Sequence, residues 1–143
     1  MKAYAINNEW ITLLQLEEII NSKAAVELSV NTKSAISKCR SFLDEKVKNS
    51  DALIYGINTG FGSLCNTAIS KVDLEKLQRN LVLSHACGTG EEVPQIIVKR
   101  MLLLKAVGLS HGNSGAQLET VERLLYFYNN EIYPVVYQQG SLG

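Results

Sequence analysis

Tyr55, Ser84 and His85 are the residues of this chain whose side chains and setting most invite chemistry. Tyr55 opens the stretch Tyr55-Gly56-Ile57-Asn58-Thr59-Gly60-Phe61-Gly62, directly after the apolar run Ala52-Leu53-Ile54. Three glycines in eight positions tolerate positive φ and close backbone approach, so the stretch reads as an irregular, tightly folded loop with a phenol at its mouth. Its glycines do not follow the GxGxxG order and no Lys-Ser/Thr pair follows them, which excludes a dinucleotide cradle and a P-loop. A plain connecting turn is the alternative. Ser84 and His85 fall in the last turn of a predicted helix, where backbone carbonyls lack partners and the helix dipole favours a cation. A histidine there has an ordinary use as a C-terminal cap, and His111 reads as a loop histidine.

The elements that must position these residues are mostly helical. Thr12 stands three residues before Gln15 in capping-box form, and Leu13, Leu16, Ile19 and Ile20 recur at helical spacing, which predicts a first helix ending near Asn21. Residues 26–30 read as extended. Asn31 or Thr32 caps a second helix with Ala35, Ile36, Cys39, Phe42, Leu43 and Val47 on one face, stopped by Asn49-Ser50-Asp51. Leu53-Ile54-Tyr55 fits a short strand. Ser70, three residues before Asp73, caps a third helix that carries Leu74, Leu77, Leu81 and Ser84 and runs to Cys87, where Gly88-Thr89-Gly90 ends it. Pro94 suits the first turn of a fourth helix over 95–109, apolar nearly all the way round, which implies burial within a larger assembly. Ser114 and Gln117 form another capping box, for a fifth helix through Leu118, Val121, Leu124, Leu125 and Tyr128. Pro134 biases Tyr133 towards the β region, so Tyr133-Pro134-Val135-Val136-Tyr137 reads as extended.

Composition narrows the partners. A chain of 143 residues is the length of one domain or one part of a larger protein. Lys plus Arg and Asp plus Glu both number 14, leaving no net field to attract nucleic acid or an anionic membrane. Cys39, Cys65 and Cys87 are odd in number, lack CxxC spacing and have no clustered histidines, so they read as reduced thiols of a cytoplasmic protein with no metal. No secretion signal or membrane-spanning run is present in these residues.

Four segments acquire meaning together: the tyrosine-glycine loop, Asn80-Leu81-Val82-Leu83-Ser84-His85-Ala86, Asn113-Ser114-Gly115, and Pro134-Val135-Val136-Tyr137-Gln138-Gln139-Gly140-Ser141-Leu142-Gly143. From about residue 53 to its end the chain resembles the amino-terminal part of the aromatic amino acid ammonia-lyases, most closely the histidine-selective members. Residues before Asp51 match them only in helical character. The resemblance implies a mainly α fold, the amino-terminal helical region of a fumarase/aspartase-like helical bundle, with the glycine-rich loop at its active site. It implies that residues 1–143 stop just before an Ala-Ser-Gly triplet that would follow Gly143 directly and become 4-methylidene-imidazol-5-one, a protein-derived electrophile, with no nucleotide or metal.

The same resemblance makes Tyr55 the catalytic base and places Gly62, Ser84 and His85 against the substrate. The ordinary phenol pKa is about 10, so such a base needs hydrogen bonds or positive charge to stabilise its phenolate. A polar Ser-His pair suits a ring that forms hydrogen bonds. The implied reaction is elimination of ammonia from L-histidine to urocanate in histidine catabolism, by a homotetramer with active sites shared between subunits. This chain alone is then inactive. The alternatives are a tyrosine ammonia-lyase or an aminomutase of the same family, and, in another class, a non-catalytic helical interaction module. The loop's glycines further suggest closure over a substrate.

Overall fold

The computed structural model describes residues 3–50 and 52–140. Asp51 and the Ser141-Leu142-Gly143 ending lie outside the described residues. Two compact units make up the chain, one from Met1–Asp44 with Val93–Val136, the other from Glu45–Glu92 with Tyr137–Gly143.

In the first unit, strand β1 (Tyr4–Ile6) pairs in parallel with β2 (Val26–Leu28), and helix α1 (Leu13–Ser22) makes the crossover. The Thr12–Gln15 capping box forms as its spacing predicts: the Gln15 N–H donates to Thr12 Oγ1 at 3.3 Å, and the Thr12 N–H donates to Gln15 Oε1 at 2.8 Å. β1 has no counterpart in the sequence reading, because three residues are too few for alternation to register. Its pairing is locked from the side: Thr32, fully buried, donates its hydroxyl to the Ile6 carbonyl at 2.9 Å.

Helix α2 (Val30–Asn49) starts earlier than an Asn31 or Thr32 cap would allow. Ser29 takes that role, accepting from the Thr32 N–H at 3.2 Å, and frees Thr32 to reach β1. Only Ile36 of the expected apolar face is fully buried; Phe42 stays 64% exposed. Pro94 caps helix α4 (Gln95–Ser110), which packs on α5 (Leu118–Asn129), and α5 in turn on β2. The N-cap of α5 is Gln117 itself, with no side-chain bond, so the Ser114–Gln117 box does not form.

The core gathers Ile6, Leu16, Ile19, Ile36, Leu103 and Val121 from these elements. α4 is only half covered: Leu102, Leu103, Ala106 and Val107 are buried, whereas Ile96, Ile97, Met101 and Leu104 keep 44–50% of their surface exposed. Among the described residues no helix is long and apolar enough to cross a membrane.

The second unit holds the loop, a 3-10 turn at Gly62–Leu64, another at Lys71–Asp73, and helix α3 (Leu74–His85). Ser70 caps the second 3-10 turn rather than α3 itself. α3 stops at His85, two residues short of the expected end. Gly88 does not cap it but opens strand β3 (Gly88–Glu92), which pairs antiparallel with β4 (Tyr137–Gly140), Gly88 facing Gly140. A Cβ on Gly88 would stand 2.8 Å from Tyr137 Cδ2, so the sheet closes only around a bare glycine.

Candidate active site

The backbone before Tyr55 is not the short strand that Leu53-Ile54-Tyr55 suggests. Asn58 takes the place of a strand partner: its Oδ1 accepts from the Ile54 N–H at 2.7 Å and its Nδ2 donates to the Ala52 carbonyl at 2.9 Å. The Ile54 carbonyl accepts from the N–H groups of Ile57 and Asn58 at 3.0 and 3.2 Å, which folds the chain into a turn immediately after Ile54. An asparagine that satisfies nearby backbone groups competes with sheet in this way.

The loop is pinned at its far side too. Thr59 is fully buried; its hydroxyl accepts from the Gly56 N–H at 3.3 Å and donates to the Gly60 carbonyl at 3.0 Å. The Asn58 carbonyl accepts from the Ile69 N–H at 2.9 Å beside a bridge between Thr59 and Ala68. The glycine content that suggested closure therefore coexists with a dense set of local bonds.

Gly56 has φ +70°, and a Cβ there would lie 3.0 Å from Phe61 Cε1. Glycine thus permits both the turn and the approach of the Phe61 ring. That ring meets Tyr55 edge to face at 5.3 Å and 70°, and meets His85 at 6.0 Å and 79°. Tyr55 and His85, thirty positions apart in sequence, are thereby brought to a common neighbour. Edge-to-face pairs of this kind contribute about 0.5–1.5 kcal/mol beyond the area they bury.

Tyr55 is 64% exposed, and among the described residues no hydrogen bond or cation reaches its hydroxyl. The surroundings expected to stabilise a phenolate are thus not found among the described residues. Gly62 has φ +57° and borders open space, with no heavy atom within 4 Å of a Cβ built on it.

His85, exposed in the last turn of α3, holds its Nδ1 2.8 Å from the Leu81 carbonyl, the capping use expected of a histidine at a helix end. The Ser84 hydroxyl donates to the same carbonyl at 3.0 Å and stands 3.0 Å from His85 Nδ1. Ser84 is therefore turned back onto its own helix. Both polar contacts of the His85 ring use Nδ1.

Two residues of this arrangement escape the sequence reading. One is Phe61. The other is Gln78, whose Nε2 donates to the Gly56 and Ile57 carbonyls at 3.2 and 3.4 Å and so ties the loop to α3. Gln78 lies seven residues before His85, two helical turns, so the shared face was available as a signal.

The sequence pattern of the aromatic amino acid lyase family matches residues 11–143. A histidine ammonia-lyase of Alkaliphilus oremlandii (strain OhILAs) is 38% identical over all 143 residues, and the chain spans 28% of that protein's length. Among solved structures, histidine ammonia-lyase from Trypanosoma cruzi is 31% identical with a TM-score of 0.82, the match covering 99% of this chain and 27% of that one. A phenylalanine aminomutase of Pantoea agglomerans is 27% identical with a TM-score of 0.87, covering 98% of this chain and 27% of that one. A family pattern that runs over nearly every residue, on a backbone shared with these enzymes, makes this chain a member of the aromatic amino acid lyase family.

Proposed function

We propose that the whole protein to which these residues belong eliminates ammonia from L-histidine to give urocanate, in histidine catabolism. The observation that carries this reading is the convergence of Tyr55 and His85 on Phe61 within one compact unit. It is supported by the histidine ammonia-lyases among the relatives. In this reading Tyr55 removes the β-hydrogen, and His85, oriented by Ser84, faces the imidazole. Gly62, beside open space at the loop's edge, leaves room for the substrate.

A β-hydrogen of an amino acid is too weakly acidic to be removed without an electrophile acting alongside the base. A 4-methylidene-imidazol-5-one formed from an Ala-Ser-Gly triplet directly after Gly143 would supply that electrophile. The β3–β4 pairing, which sets Gly140 opposite Gly88 three residues beyond His85, supports placing the end of these residues beside that helix end. A Cβ at Gly140 would come 3.1 Å from the Cys87 carbonyl, a close contact that a bare backbone avoids. Groups that bind the substrate carboxylate and stabilise the Tyr55 phenolate belong, in this reading, to the rest of the protein or to a neighbouring subunit.

The exposed apolar residues of α4 and the groove lined by Met101, Leu104, Leu124, Pro134 and Val136 support burial within a larger assembly. We assign that assembly as a homotetramer. Three free cysteines support a reducing, cytoplasmic setting.

The test is Tyr55→Phe in the full-length protein. Turnover of L-histidine falls by about 10²–10⁴ while binding of a non-reacting histidine analogue is retained. Near-normal activity in that variant refutes the role of Tyr55. The product identifies the reaction: urocanate for the proposed elimination, coumarate for a tyrosine ammonia-lyase, a β-amino acid for an aminomutase.

A further inference from the structure

The two units differ in what holds each together. Every buried apolar side chain among the described residues belongs to the first unit, from Ile6 to Tyr128. In the second unit the buried residues are Thr59 and Gly60, and no residue of α3 is buried. Its apolar side chains face outward instead: Val82 keeps 70% of its surface exposed, Leu83 63% and Leu64 57%.

Each element of the second unit is also below the size that is stable alone. α3 has 12 residues, and its N-cap, Asp73, makes no side-chain bond to it. Isolated helices shorter than about 12–15 residues are marginal in water. β3 and β4 form a two-stranded ribbon exposed at every position, and such a ribbon is marginal by itself. The side-chain bonds of Asn58, Thr59 and Gln78 shape the loop, but bonds to water replace them when it opens, so they direct the fold more than they stabilise it.

We infer that the first unit folds by itself, whereas the unit carrying Tyr55 and His85 is a conditional element, which takes this conformation only while the rest of the same polypeptide covers Val82, Leu83 and Leu64. The chain spans 28% of the length of a 38% identical relative, so the whole protein has ample material for that cover. A segment on the same polypeptide meets α3 at a far higher effective concentration than a second copy free in solution, which decides between these two occupants. The inference holds whichever reaction the site performs. It makes the surroundings of Tyr55 and His85 the last part of these residues to order.

Amide hydrogen exchange reads the two units separately. In the 143-residue chain, core amides of α4 and α5 are slowed at least about 10³-fold relative to an unfolded peptide, and those of α3 less than about tenfold. In the full-length protein α3 gains at least about 100-fold in protection, and dilution does not change it. Val82→Gln and Leu83→Gln keep helix propensity but replace a covered apolar side chain. Each speeds exchange of α3 in the full-length protein about tenfold or more and leaves α4 and α5 unchanged.

Equal protection of α3 and α4 in the 143-residue chain overturns the inference. So does a chain in which α4 and α5 are unprotected. Exchange of α3 that neither substitution alters takes Val82 and Leu83 off the covered face and overturns it as well. Protection of α3 that dilution abolishes while α4 stays protected overturns the choice of occupant and makes a second copy the cover. No readout here is turnover, so failure of the proposed reaction leaves this inference standing.

Discussion

The side-chain amide of Gln78 donates to the carbonyl of Gly56 at 3.2 Å, one residue beyond Tyr55, and so fastens the loop that carries Tyr55 to the helix that carries His85. The second acceptor, Ile57, lies 3.4 Å away, and because both partners are carbonyls the NH2 end of the amide must face them. A displacement of about 1 Å in a reacting group can cost on the order of 10²-fold in rate. In the proposed reaction, with Tyr55 as base, Gln78→Leu therefore lowers kcat by about 10-fold to 100-fold with a smaller change in KM. Steady-state kinetics on the full-length protein checks this, and an unaltered kcat would mean that Phe61 suffices to place the loop.

Gly56→Ala tests the turn itself. The substitution puts a Cβ 3.0 Å from Phe61 Cε1 and imposes φ +70° on an L-residue, which costs about 1–2 kcal/mol of backbone strain alone. The ring must move, and with it the surface that Tyr55 and His85 share. The expected result is a loss of turnover larger than the modest fall in thermal stability would explain. Kinetics and a melting curve on the same preparation decide it.

Asn129 tests the first unit. Its Oδ1 accepts from the Val26 N–H and its Nδ2 donates to the Val26 carbonyl, both at 2.8 Å, completing the pairing of β2 from the end of α5. Asn129→Ala leaves two backbone groups unpaired at a partly buried site and costs about 1–3 kcal/mol. Asn129→Asp restores only the acceptor and repels the Val26 carbonyl, so it recovers less than half of the loss. Denaturant unfolding of the three proteins gives the order.

Tyr128 supplies a pH dependence. Burial raises its pKa above the ordinary phenol value; the Lys99 ammonium, 5.3 Å over the ring, offsets part of that and Tyr133 adds to it. Only 4% of Tyr128 is exposed. The folded state holds the phenolic proton more tightly than the unfolded chain, so this contribution is intact below about pH 10 and is lost as pH rises through the folded value. As pH rises above about 10 the thermal midpoint falls, and Tyr128→Phe falls less over the same window. An identical fall in both proteins would remove Tyr128 from the account.

Local chemistry was readable wherever neighbouring residues settle it among themselves. Thr12 and Gln15 cap α1 because both partners lie within one turn, and Pro94 opens α4 because its ring presets φ and lacks an N–H. The same logic failed where a distant partner decides. Ser29 displaced Asn31 and Thr32 as the cap of α2 because Thr32 is drawn to Ile6, twenty-six residues away. Gly88 does not end α3 as a cap, because β4 recruits it into a sheet.

For the site, the sequence by itself determined the inventory: a tyrosine at the mouth of a glycine-rich loop, a Ser-His pair at a helix end, and a motif order that names a family. These follow from residue types and spacing, which the chain carries wherever it goes. Only the tertiary structure decided that Phe61 stands between Tyr55 and His85, that Gln78 fastens the loop to α3, and that Ser84 faces its own helix. The physical reason is that ring contacts and side-chain hydrogen bonds act over a few ångströms in space and leave no period in sequence. Their partners are neighbours in a loop whose turn Asn58 and Thr59 hold in place.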